Sequence, residues 1–360
     1  MMKKIYAIGF NVLLAFILVA QLVTPVASIS QSERRPLQQL PKFSLEELVD
    51  GIYMKEFEKY ALDQMPFRDM FRGLKAWTER RIFLKKLVNG LWIEDDYLLK
   101  TYDAPTEQEI VAFVKYIEGI REQYFSENAT YITMIPDKSY YSSDKYWAKT
   151  ETQIKQWIQE QLTEIAYIDI HSILELSDYY FTDTHWKQEN LFKLVNYLAT
   201  QLDTMETINK EKWIEKEFDN YTGVYGGQWA LPVEPEMLKY MSHECFDNIR
   251  IINYQEQELM GQVYDEEKLF GWDGYEVFLS GGSPLIQIHN PEKDKELVIF
   301  GDSFSSSLVP LLIPQYGKIT LIDTRYLPKE YIGDYVEFTG EEDVLFMYSS
   351  LILSNSQTLR

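Results

Sequence analysis

Val298-Ile299-Phe300-Gly301-Asp302-Ser303-Phe304 decides the reading of this chain. Leu297–Phe300 is a short, uninterrupted apolar run, and residues 305–313 carry a helical pattern. A buried strand that passes through Gly301 into a helix lifts the Ser303 hydroxyl above the carboxyl end of a sheet. Open α/β sheets place their ligands at that end. The helix start supplies unpaired N–H groups and the positive end of a dipole, which favour an oxyanion there. The same letters also fit a plain turn in which Ser303 or Ser305 caps a helix. Working outward, Thr130–Ile135, Ile165–Ile170, Ile319–Ile322 and Val344–Tyr348 are further apolar runs of four to six residues. They alternate with helical stretches: Thr106 to Tyr124 (opened by the capping box Thr106-Glu-Gln-Glu109), Glu151–Leu162 and Trp186–Leu202. Short apolar strands between helices predict an α/β fold, with a parallel sheet covered on both faces.

A serine nucleophile needs a base, and only four histidines exist: His171, His185, His243 and His289. His185 lies in Phe181-Thr-Asp183-Thr184-His185-Trp186. Asp and His at i and i+2 do not face each other on a helix. In an extended or turn segment they can, and Asp183 would then orient the ring of His185. Asp183 or Thr184 capping the helix that begins at Trp186 is the plainer alternative. His289, near a strand end, is the reserve candidate; His171 reads as a surface or capping residue and His243 as part of a loop. No His-Glu-x-x-His, His-x-x-x-His or Cys pair suggests a metal site, and no Gly-rich phosphate loop is present, so no cofactor is expected. Gly281-Gly282-Ser283 reads as a turn between two strands that borders the active site.

The composition of the 360 residues is that of a globular chain, 46% hydrophobic and 25% charged, long enough for one or two domains. Lys plus Arg number 35 against 56 Asp plus Glu, a net charge of −21 that argues against nucleic acid as a partner. The single cysteine, Cys245, excludes internal disulfides. Aromatic residues reach 15%, which suits both a large core and a sugar-binding surface.

Lys3 and Lys4 precede an apolar run from Ile5 to Val23. Its length is nearer a membrane span than a signal-peptide core, so a retained anchor is expected over residues 1–29, the rest of the chain lying outside the cytoplasm. If the run is cleaved instead, the protein is secreted. Residues 30–42 read as a linker and 43–100 as a helical region. In that region Ser44-Leu-Glu-Glu47 opens a helix to about Leu62, and Pro66 starts a second helical stretch to about Val88. The second is rich in Arg and Lys, as a solvated face would be, or a face meeting anionic lipid or a partner near the membrane. Leu91–Lys100 has the pattern of a hairpin around Asp95-Asp96. Residues 101–360 form the α/β domain, with 205–290 as a loop-rich insertion.

At Tyr180-Phe-Thr-Asp183-Thr-His185-Trp186, Gly301-Asp302-Ser303-Phe304 and Ile322-Asp-Thr-Arg325-Tyr326 the chain resembles the DHHW-motif proteins of Gram-positive bacteria. Pro66-Phe67-Arg68-Asp69 and Pro136-Asp137-Lys138 fit as well. That family is similar to the SGNH-hydrolase-like O-acetyltransferases that modify alginate. The resemblance implies an SGNH-like sheet, circularly permuted because the Asp-x-His segment precedes the Ser. It implies Ser303 as nucleophile, His185 as base and Asp183 as its orienter. Arg325, Tyr326, Gly282 and Ser283 would meet the substrate. The implied reaction moves acetyl through an acyl-serine to a cell-wall or exported polysaccharide, with a multi-pass membrane O-acyltransferase as acetyl donor. A carbohydrate esterase on the same triad and a non-catalytic glycan-binding scaffold are the competing expectations. Thr184 stands where the naming motif has its first His, and no Gly-x-Asn-Asp block supplies the Asn donor of an SGNH oxyanion hole. That leaves the backbone N–H of Ser303 as the named donor.

Overall fold

The computed structural model describes residues 2–202, 207–254, 262–353 and 359. The chain divides into two compact units, residues 1–89 with 224–232, and residues 90–223 with 233–360.

The larger unit is built on a seven-stranded sheet. Its strands in chain order are β1 (Thr130–Ile135), β2 (Ala166–Tyr167), β3 (Arg250–Asn253), β4 (Leu285–His289), β5 (Glu296–Gly301), β6 (Lys318–Ile322) and β7 (Asp343–Ser349). Their order across the sheet is β2-β1-β7-β5-β6-β4-β3. The first five are mutually parallel, while β4 runs antiparallel to both β6 and β3. The expected parallel sheet is therefore present with a two-stranded antiparallel edge added to it. That edge comes from within 205–290, so this stretch is not only an insertion. It also carries a hairpin of Ile214–Tyr221 with Glu236–Ser242, and its residues 224–232 group with the smaller unit. Residues 205–206 and 255–261 of the expected insertion lie outside the described residues.

Side chains alternate across each strand, and the alternation sorts the core into two layers. Leu297 and Ile299 of β5, with Leu345 and Met347 of β7, pack on one face beside the helices Phe192–Gln201 and Ser303–Leu312. Val298, Phe300, Val344 and Phe346 pack on the other, against the helices Glu107–Tyr124 and Lys145–Gln161. The capping box at Thr106 forms with both reciprocal bonds. Ile165–Ile170 shortens to the two residues of β2, which pair with Tyr131 and Ile132 alone. The helical pattern from Trp186 becomes a 3₁₀ turn at Gln188–Asn190 followed by the helix Phe192–Gln201. Leu91–Glu94 and Tyr97–Lys100 form the expected hairpin, with Asp95 and Asp96 both at positive φ. The hairpin groups with the larger unit, where the Leu98 amide donates to the Phe181 carbonyl at 2.9 Å.

In the smaller unit a helix covers Met2–Val23, and its Lys4–Gln21 stretch has the length and composition to cross a membrane. A signal sequence passes the same test. The helix expected from Ser44 to Leu62 is broken at Gly51 (φ 75°) into Leu45–Val49 and Ile52–Asp63, since only a left-handed residue ends the first and starts the second in so short a space. The stretch from Pro66 is helical over Arg68–Trp77 and closes in a π-helical turn at Thr78–Ile82, short of Val88.

Candidate active site

β5 lies between the parallel strands β7 and β6 and delivers Gly301-Asp302-Ser303 at its carboxyl end. A Cβ on Gly301 would sit 2.1 Å from the Ser305 Oγ and 3.0 Å from the Met347 carbonyl oxygen, so the turn admits no side chain there. Asp302 fixes the helix that follows. One carboxylate oxygen accepts from the Phe304 amide at 3.0 Å, and the other accepts from the Ser349 amide of β7 at 2.9 Å. Asp302 is thus the N-cap, and Ser303 is the first residue of the helix.

The Asp183-Thr184-His185 segment is a tight loop closed by a bridge between Tyr179 and Trp186. Asp183 Oδ1 accepts from the His185 backbone amide at 3.0 Å, an Asx turn, and approaches His185 Nδ1 at 2.6 Å. His185 Nε2 lies 2.8 Å from Ser303 Oγ. The two distant segments therefore meet through consecutive hydrogen bonds, with Asp183 fully buried and the His185 side chain 12% exposed.

Several side chains hold this encounter in place. Trp186 Nε1 and the Tyr275 hydroxyl both donate to Ser307 Oγ, at 2.8 and 2.7 Å. Gln188 Nε2 donates to the Ser307 carbonyl at 2.7 Å. The loop is thus fastened to the helix that carries Ser303, one turn beyond the serine. The His185 ring stacks on Tyr275, with centroids 3.9 Å apart and planes within 9°. Burial pushes the Tyr275 hydroxyl well above its ordinary range, so it stays a donor.

Lys138 is wholly buried, and its ammonium donates to the carbonyls of Tyr180 (2.9 Å), Phe181 (3.2 Å) and Asp183 (2.6 Å). Three donors meet three acceptors of the one loop. Burial pushes its pKa down to about 8, against the opposing pull of Asp137, Asp183 and Glu236. Glu236 accepts from the amides of Phe181 and Thr182 and from the Thr182 hydroxyl, which in turn accepts from the Gly223 amide. Gly223 packs so closely that a Cβ would fall 2.2 Å from the Asp183 Cβ. Lys138, Gly223, Glu236 and Tyr275 were not candidates from the sequence. Pro136-Asp137-Lys138 was singled out, but the three carbonyls that Lys138 serves lie more than 40 residues away.

Gly281, Gly282 and Ser283 border a cavity of about 10 Å³ together with Asp302, Ser303 and Asp323. The segment before them is a 3₁₀ turn at Gly274–Val277 and not a strand, and Leu279, Ser280 and Gly281 all take positive φ. The Ser283 hydroxyl donates to Asn253 Oδ1 at 2.7 Å, so it braces the sheet edge. Arg325 forms a bidentate pair with Asp323, its guanidinium 5.4 Å from the Tyr326 ring centre. Tyr326 is 56% exposed and its ring lies over Gly282. His289 is on β4 and His243 caps a 3₁₀ turn. His171 has its Nδ1 3.0 Å from Asp169 Oδ1.

No protein-family model and no curated protein sequence matches the chain. Among solved structures it is similar to a DHHW family protein from Eubacterium siraeum, 17% identical, with a TM-score of 0.62 over 75% of this chain and 94% of that one. It is also similar to PatB1 from Bacillus cereus, solved with a sulfonyl adduct, 18% identical, with a TM-score of 0.57 over 73% and 95% of the two chains. The mixed α/β fold expected from the DHHW resemblance is the fold this chain has.

Proposed function

We propose that the protein is a serine-dependent O-acetyltransferase acting outside the cytoplasm on a cell-wall or exported polysaccharide. The observation that supports this reading is the relay Asp183–His185–Ser303, with links of 2.6 and 2.8 Å at the carboxyl end of a central strand. Ser303 Oγ attacks the carbonyl of an acetyl donor while its proton passes to His185 Nε2. The leaving group departs with that proton, and acetyl remains on Ser303. A sugar hydroxyl then attacks the acetyl-serine, its proton passes to His185, and Ser303 Oγ leaves and recovers a proton from His185. Asp183 holds the ring tautomer and balances the imidazolium formed in each half. The Ser303 amide at the helix start is the donor assigned to the oxyanion. Arg325, Tyr326 and Gly282 are assigned to the acceptor side, and the Met2–Val23 helix to membrane anchoring. A multi-pass membrane acyltransferase is the assigned acetyl source.

The test is incubation of the full chain with p-nitrophenyl acetate, followed by peptide mass spectrometry. Acetyl on Ser303, absent in Ser303→Ala and reduced in His185→Ala and Asp183→Ala, is the expected outcome, with the Asp loss the smaller. Equal labelling or equal turnover in all three variants overturns the triad. Adding an oligosaccharide acceptor separates transfer from hydrolysis, since a transferase yields acetylated sugar.

A further inference from the structure

The smaller unit turns an apolar face outward. In the helix Arg68–Trp77 the inward side is small: Ala76 is fully buried, and a Cβ on Gly73 would lie 3.3 Å from the Ala230 carbonyl oxygen. Arg68 and Arg72 are engaged with Glu33. The other side carries Met70, Phe71, Leu74 and Trp77, exposed by 60, 36, 56 and 49%. Their spacing makes one stripe along the helix. Ile82, Phe83, Leu84 and Leu87 are exposed just beyond it, and the helix Ile52–Asp63 has no buried residue at all. A contiguous apolar surface of this kind marks an interface.

Two observations say what covers it. The first is its position along the apolar helix. Phe67, at the start of the stripe, stacks on Phe16 with centroids 6.3 Å apart, and Gln21 Nε2 donates to the Gln64 carbonyl at 3.0 Å. Phe16 lies five residues before Gln21, where the Lys4–Gln21 span ends, which is about 7–8 Å at the helical rise. That is the depth, about 5–10 Å, to which an interfacial apolar face sinks. The second is charge. Residues 66–88 hold seven basic and two acidic side chains, in a chain where acidic residues outnumber basic ones 56 to 35. Arg81 and Lys86 are exposed beside the apolar stripe, and Trp77 has the amphipathic ring favoured at such a boundary.

We propose that this face is a membrane-docking surface, seated in the headgroup region of the same anionic bilayer that the Met2–Val23 helix crosses. The apolar stripe reaches the acyl boundary, and Arg80, Arg81, Lys85 and Lys86 lie against lipid phosphates. The inference stands apart from the acetyl-transfer chemistry, and of the proposed function it rests only on the Met2–Val23 helix as the membrane anchor.

The test places single cysteines at Leu74, at Leu84 and, as a control, at exposed Asp95 of the full chain. Cys245 stays, because it is buried and its thiol is pushed up to about 11 by that burial. Each variant is labelled with a small maleimide fluorophore and reconstituted into phosphatidylcholine vesicles with phosphatidylglycerol. Labels at 74 and 84 are expected to lose about half their emission when the acyl chains are brominated and to resist aqueous iodide, with the label at 95 doing the reverse. Replacing Arg80, Arg81, Lys85 and Lys86 by Gln, or omitting phosphatidylglycerol, is expected to weaken the bromolipid quenching. Iodide quenching at 74 and 84 equal to that at 95 overturns the proposal. So does shelter from both quenchers, which identifies a protein occupant.

Discussion

Gly223→Ala tests whether the catalytic loop is held by packing as tightly as the geometry implies. The added methyl would lie 2.2 Å from the Asp183 Cβ and 2.4 Å from its Oδ2, whereas ordinary contact begins at 3.4 Å. Something must move by about 1.2 Å, the difference between the contact distance and the gap. The loop backbone resists, because Lys138 grips three of its carbonyls and Glu236 grips two of its amides. The Asp183 Cα would also lie 2.5 Å from the methyl, so turning the carboxylate gives no relief; Asp183 as a whole must shift, and a shift of that size breaks its 2.6 Å bond to His185. A 1 Å misplacement costs about 10²-fold in rate, and loss of the orienting carboxylate about 10⁴-fold, so kcat/KM should fall within that range. Overpacking should also remove about 1–3 kcal/mol of stability. The assay is burst and steady-state turnover of p-nitrophenyl acetate, with a thermal melt to confirm folding. Gly333→Ala is the comparison, because its Cβ would meet the Tyr124 ring at an unstrained 3.4 Å, outside the proposed site, and should change the rate little. A folded Gly223→Ala protein with turnover within about twofold of wild type would refute the idea that this contact sets the carboxylate's position.

Lys138→Met should lower kcat with little change in KM, since it takes one hydrogen bond from each of three loop carbonyls while touching no substrate. In wild type, stability should rise between pH 8 and 10.5, because burial lowers the native pKa to about 8 and the unfolded chain holds more protons across that window. Urea titrations across this range check the sign, and Lys138→Met should show the smaller rise. Tyr275→Phe keeps the ring on His185 but removes one donor from Ser307, and should cost about 1 kcal/mol of stability while sparing turnover. Tyr275→Leu also loses the stack and should lower turnover further, read by the same ester assay. In the smaller unit, the Arg35 hydrogen bond lowers the Asp63 pKa from 3.8 to about 2. The stabilisation is present above 3.8 and lost as pH falls toward 2, so hydrogen exchange around residues 35–38 should quicken there in wild type and show no such step in Asp63→Asn.

What the sequence disclosed and what it concealed follow from the range over which each feature is encoded. The strand, Gly301, Asp302 and Ser303 are neighbours in the chain, and so are Asp183 and His185. The Asx turn and the sharp exit from β5 are local devices with local letters, although the residue that caps the helix is Asp302 and not Ser303 or Ser305. Thr106–Glu109 and Asp95-Asp96 were legible for the same reason, because a capping box or a left-handed turn needs only its own residues. A strand after Gly281-Gly282-Ser283, with His289 near its end, was legible, but its antiparallel place beside β6 was not, and β3 was hidden altogether because it depends on β4 being there to pair. The supports of the triad are the hardest to read. Lys138 acts on backbone carbonyls, which every residue has, so its partners leave no trace in the letters at 180, 181 and 183. Gly223 acts by lacking a side chain, and glycines elsewhere lack one for unrelated reasons. Tyr275 acts through a ring face among 26 tyrosines. A nucleophile and its base must have particular functional groups, so they show. The residues that fix their distance to 2.8 Å need only shape and reach, and so they become visible only once the chain is folded.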